Sequence, residues 1–115
     1  MLTMETLKEF GANVREGLER CMNDEDFYLE MVNMTLEDGC FERLSDAIAA
    51  GDQRAAFEAA HALKGVLANV ALTPLYALAS EITELLRAGQ YADYPALLAR
   101  LLELRGALLA LRDSE

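Results

Sequence analysis

The stretch TPLYALASEITELLRAG, residues 73–89, decides the fold. Thr73 followed by Pro74 has the form of a helix start, a capping side chain and then proline at the first helical position. Leu75, Leu78, Ala79, Ile82, Leu85 and Leu86 recur at the i, i+3, i+4, i+7 spacing of a single helix face. Gly89 is a stop signal. A strand would need alternation with period two, and no part of the chain sustains it.

The same signals continue outward from this helix. Asp93-Tyr94-Pro95 opens a last helix carrying Leu97, Leu98, Leu101, Leu104, Leu108 and Leu111. On the other side, Asp52 caps a helix over 53 to about 70. Before it, Asn23 or Asp24 caps FYLEMVNMTLED, whose first turn is acidic, as the helix dipole favours. That pattern continues, with a kink or break near Gly39, through CFERLSDAIAA to Gly51. Residues 3–10 form a short helix ending at Gly11, and Asn13-Val-Arg-Glu16 starts another in the manner of a capping box. Short connections make neighbouring helices antiparallel, and each has an apolar face to bury. The expected architecture is all-α: an antiparallel up-down four-helix bundle with one or two short N-terminal helices, one domain over 1–115.

Composition narrows the function. The chain has 115 residues, 53% of them apolar, enough for one core. No apolar run approaches the roughly 20 residues of a membrane span. The start MLTMETLKEF has neither the basic nor the apolar region of a signal peptide. A cytoplasmic protein is expected, and the lack of a linker at either end predicts a free-standing one rather than an excised part of a hybrid kinase. The formal charge is -10, with 20 acidic residues against 10 basic. That excess argues against nucleic acid and against anionic membranes, which both need clustered Lys and Arg. A protein or a small ligand remains as partner. Cys21 and Cys40 lack metal-site spacing and read as reduced, partly buried thiols. Asp24, Glu25 and Asp26 read as a solvated acidic cap rather than a metal site.

One residue carries chemistry. EAAHALKGVLANV, residues 58–70, holds the only histidine. At about 100° per residue, Ala56, Ala59, Ala60, Leu63, Val66, Leu67 and Val70 form the core side of this helix. Arg54, Phe57, Glu58, His61, Lys64, Gly65 and Ala68 form the other. His61 therefore points outward, either as an ordinary surface histidine or as a reactive one. Its neighbours favour the second. Lys64 is one turn on, within reach of whatever occupies the ring. Gly65, which costs roughly 0.8–1 kcal/mol against alanine inside a helix, leaves with Ala68 a shallow trough where another molecule can approach. An imidazole has an ordinary pKa of about 6.5, so at neutral pH it offers a nitrogen lone pair without a general base. Phosphorylation of the ring fits, with Lys64 offsetting the added charge. The chain has no phosphate-binding glycine loop and no kinase signature. It reads as a phosphocarrier rather than an enzyme, with no cofactor of its own.

AHALKGVLANVAL, residues 60–72, resembles the signature of histidine-containing phosphotransfer (HPt) domains, roughly H-x-L-K-G followed by small residues. His61, Leu63, Lys64 and Gly65 match it position for position, and Ala68 and Asn69 fit the run. The preceding helix DEDFYLEMVNMTLED and the turn AAGD also resemble the family's. Two positions depart from its pattern: Val66, where a small polar residue is common, and Ala71, where glycine is usual. The resemblance implies a phosphorelay intermediate of two-component signalling. It would exchange phosphoryl with aspartates of response-regulator receiver domains and work with a hybrid sensor kinase. His61 would be the phosphorylated residue, Lys64 the stabilising cation and Gly65 the close-approach position. Mg²⁺ would sit on the receiver.

Two further readings concern partners. Helix 24–38 has one apolar stripe of Tyr28, Leu29, Val32 and Leu36, and a second of Phe27, Met31 and Met34. The second is either a seam buried under the N-terminal helices or an adaptable surface where a receiver docks. Phe57 either extends that surface to the ring or packs on the N-terminal segment, with Leu7 and Phe10 as neighbours. The docking set is thus Phe57, Ala68, Phe27, Met31, Met34, Leu7 and Phe10. One docking surface implies a monomer. The competing function is a helical interaction module without chemistry, which would tolerate His61→Gln.

Overall fold

The computed structural model describes residues 1–114. Among them every regular element is an α-helix: α1 (Met4–Phe10), α2 (Val14–Arg20), α3 (Glu25–Leu36), α4 (Cys40–Ala50), α5 (Gln53–Asn69), α6 (Thr73–Arg87) and α7 (Tyr94–Asp113). Helices α4 to α7 form the four-helix bundle, with α5 packed between α4 and α6, and α7 closing against α4 and α6. Ion pairs record the antiparallel sense of α7 against the run from the end of α3 into α4: Glu37 meets Arg112 at 2.9 Å and Glu42 meets Arg105 at 3.1 Å, so positions rise along one as they fall along the other.

Local chemistry sets the ends. Gly51 turns left-handed at φ 68 after α4, and the Asp52 N–H donates back to Ala47 at 2.9 Å. The Asp52 carboxylate then accepts from Ala55 N–H at 3.0 Å and starts α5, so AAGD ends one helix and begins the next. Asp24 and Asp93 cap α3 and α7 in the same way. Thr73, expected to cap α6, is instead its first residue, with Leu72 in the cap position; the Thr73 hydroxyl donates to the Ala71 carbonyl at 3.4 Å.

The break near Gly39 is complete. Asp38 accepts from Cys40 N–H at 2.8 Å and so starts α4 anew. Arg105 of α7 closes the gap: its Nε donates to the Leu36 carbonyl at 2.7 Å, and its guanidinium lies 4.3 Å from the centre of the Phe41 ring. One arginine satisfies the end of α3 and stacks on the start of α4.

The core follows the apolar stripes. Leu75, Ala79, Ile82 and Leu86 of α6 and Leu98, Leu101 and Leu108 of α7 are buried; Leu111, on the last turn, is exposed. Cys21 and Cys40 are free thiols, buried more fully than the sequence suggests. Leu2, Leu7, Ala12 and Cys21 bring the N-terminal helices into the same core.

Tyr28 ties those helices to α5. Its ring lies over Gly17, where an added Cβ would stand 2.3 Å from the ring. Its hydroxyl donates to the Val70 carbonyl at 2.9 Å. Burial, helped by Cys21, pushes this phenol up from 10.0 to about 12. The folded protein thus keeps a proton that the unfolded chain releases, so this contribution is full below pH 10 and is lost as pH rises towards 12. Urea denaturation across that alkaline range will show stability falling more steeply in the wild type than in Tyr28→Phe. At neutral pH the variant starts about 1 kcal/mol lower, from the lost hydrogen bond. Parallel curves would show that Tyr28 ionises as freely folded as unfolded.

Candidate functional site

The site is built on the middle of α5. Ala56, Ala59, Ala60, Leu63 and Leu67 are buried, which fixes the rotation of the helix and turns His61 out to solvent. Val66 is half-buried at the edge of the stripe. The end of α5 is held by a Schellman turn, with Leu72 N–H donating to Leu67 at 3.2 Å and Ala71 N–H to Ala68 at 3.1 Å. Ala71 adopts φ 54 there, the left-handed conformation in which glycine is ordinarily unstrained. Alanine therefore makes the same turn that glycine would make, and the next helix starts within one residue of its expected place.

Around His61 the structure adds contacts across the α5–α6 seam. The Phe57 ring, one turn earlier, stands 5.8 Å from the imidazole, centre to centre, tilted by 48°. The Arg87 guanidinium lies 5.3 Å from the centre of the Phe57 ring. Lys64 does not extend freely along α5: its ammonium crosses to Glu84 of α6, at 3.7 Å. Glu84 also holds Arg87, at 3.2 Å. Over Gly65 there is open space: apart from its chain neighbours and its own helix backbone, no atom stands within 4 Å of where a Cβ would be. Beyond it, a groove of about 340 Å³ is bordered by Ala68, by Glu16 and Arg20 of α2, and by Tyr76 of α6.

The expected site residues thus divide. His61, Lys64, Gly65, Ala68 and Phe57 lie together on one face of α5. Phe57 has Arg87 and His61 as ring neighbours. Phe27 and Met34 are exposed on α3, at 44% and 60%, and Met31 is half-buried, so this stripe is not a buried seam. Leu7 is fully buried and cannot line a docking surface; it is a core residue of α1. Phe10 is half-buried against the core. Sequence reasoning missed Glu84 and Arg87. Their only signal was position, on the polar side of α6 near the stripe's edge.

Asp24 is engaged as a cap, and among the described residues no group of three potential metal ligands comes together. Among them, too, no helix is long and apolar enough to cross a membrane.

Residues 30–114 match the family model of the Hpt domain. The chain belongs to the Hpt domain family. No curated protein and no solved structure matches it. Hpt domains are phosphocarrier modules, and membership gives this protein a general role in histidine phosphotransfer within two-component signalling, in contact with response-regulator receiver domains and kinases. The match begins inside α3, so α1 and α2 lie outside it while sharing its core.

The open space at Gly65 has a consequence for this Hpt protein. Gly65→Ala meets no obstacle in the free protein, so only the helix-propensity gain remains. Thermal denaturation should show the variant more stable by about 0.5–1 kcal/mol. A loss of stability would mean that the space is occupied in solution.

Proposed function

We propose that the protein is a phosphorelay intermediate that carries a phosphoryl group on His61 between receiver aspartates. The setting of the only imidazole supports this reading: it is exposed at mid-helix, with clear space over Gly65 and an anchored ammonium one turn on. The donor is a receiver domain of a hybrid sensor kinase and the acceptor a response regulator. The protein works as a cytoplasmic monomer.

The step needs little from the carrier. The lone pair of the unprotonated ring nitrogen forms an N–P bond. The P–O bond of the aspartyl phosphate breaks, and its electron pair returns to the carboxylate. The other ring nitrogen keeps its proton. The reverse step, on the next receiver's carboxylate, empties the ring. Such transfers depend on positioning and on cations that meet the charge on the phosphoryl oxygens. Lys64 supplies a cation, and Gly65 lets the receiver's backbone come close. Phe57 and Ala68 border the docking area, with Phe27, Met31 and Met34 as its adaptable apolar part. The carrier needs no cofactor of its own; Mg²⁺ belongs to the receiver.

Incubation with a phosphorylated receiver and Mg²⁺ tests this directly. Acid-labile, base-stable label is expected on the wild type and none on His61→Gln; equal labelling of the two would defeat the proposal. A pure interaction module would bind the receiver and take no label in either form. Lys64→Ala should slow transfer on the order of tenfold, the loss of one charge-assisted contact, with its helical circular dichroism unchanged. Gly65→Ala, though more stable, should accept phosphoryl from the receiver more slowly.

A further inference from the structure

The seam beside His61 holds two cations and an anion already bound to both. Glu84 Oε1 lies 3.7 Å from Lys64 Nζ, and Glu84 Oε2 lies 3.2 Å from Arg87 Nε. Arg87 in turn covers Phe57, whose ring faces the imidazole. Both cations of this seam, Lys64 and Arg87, are therefore occupied by one carboxylate. All three side chains have freedom to rearrange: Lys64 is 27% accessible, Glu84 54% and Arg87 53%.

A phosphoryl group on the ring would bring nearly two negative charges to this place. It would repel the carboxylate, and its three oxygens are strong acceptors for an ammonium and a guanidinium. We propose that Glu84 is a placeholder anion: it holds Lys64 and Arg87 beside the empty ring and swings into solvent when phosphoryl arrives, so its charge limits how readily His61 is loaded. Arg87 then joins Lys64 as a second cation for the phosphoryl group. This rests on His61 being the phosphorylated residue.

The seam distinguishes Glu84 from the other acid near the ring. Glu58 is one turn before His61, but among the described residues it pairs only with Arg54, at 3.4 Å on the exposed side of α5. Neutralising Glu58 removes the same charge without releasing Lys64 or Arg87. It is the control for simple repulsion.

Phosphoramidate serves as the donor, because it is a small anion that requires no partner protein. The ring nitrogen's lone pair forms the N–P bond while the donor's own P–N bond breaks, and the donor nitrogen, already protonated, leaves as ammonia. Phosphorus NMR gives the initial rate of phosphohistidine formation. At physiological ionic strength Glu84→Gln should react about three- to tenfold faster than wild type, and Glu58→Gln less than about twofold faster, since the one cation it frees, Arg54, lies two turns before His61 on α5 and the lost exposed charge acts only through screened repulsion. The Glu84→Gln gain should disappear in a Lys64→Ala, Arg87→Ala background. Equal rates for Glu84→Gln and wild type, equal gains for the two glutamine variants, or a gain that survives loss of both cations would each overturn the placeholder role. Those outcomes leave the carrier reading standing. Absence of phosphohistidine in every variant removes the carrier reading, and the placeholder with it.

Discussion

Close contact between α5 and α6 is the constraint on which the site depends. Ala56 and Ala60 are buried on α5 and Ala79 on α6, while Ala59 is buried on the side of α5 that meets Cys40 and Ala47 of α4. Side chains this small let two helices approach nearer than leucines would. With the axes close, groups at the edge of the seam reach across it. Lys64 meets Glu84, and Phe57 lies under Arg87. The same buried alanines fix the rotation that sends His61 outward. One packing decision therefore sets both the exposure of the ring and the company it keeps.

The electrostatics are local rather than global. The chain carries twice as many acidic as basic residues, 20 against 10. At the seam the balance reverses, because Lys64 and Arg87 share one carboxylate. Charges beyond about 8–10 Å are largely screened at physiological salt. An incoming phosphoryl group therefore responds to the seam more than to the overall charge.

Much of this was legible before any coordinates, and the limits follow from geometry. Periodicity placed α5, α6 and α7, since a stripe repeats within a single helix and needs no knowledge of its neighbours. It turned His61 outward by the same logic. It could not foresee Arg87 over Phe57 or Glu84 against Lys64, because those contacts depend on how far one helix slides along another. Tyr28 was legible as part of an inward stripe, but its hydroxyl bond to Val70 joins residues 42 apart. Leu7 sits on a helix of 7 residues, too short for a face to be assigned by repetition. Thr73 was displaced by one residue from the cap, the usual uncertainty at a helix end.

The fit of Tyr28 over Gly17 bears on where this protein ends as a physical object. A boundary drawn by resemblance falls within α3, yet the ring in that helix is seated on a residue of α2 and bonded to the last turn of α5. Opening the two leading helices would bare one side of the Tyr28 ring and free the Ala71 carbonyl, to which Asn13 N–H donates at 2.9 Å. The packed unit is therefore larger than the recognisable one, and residues 1–29 form a fitted stopper for the bundle's end.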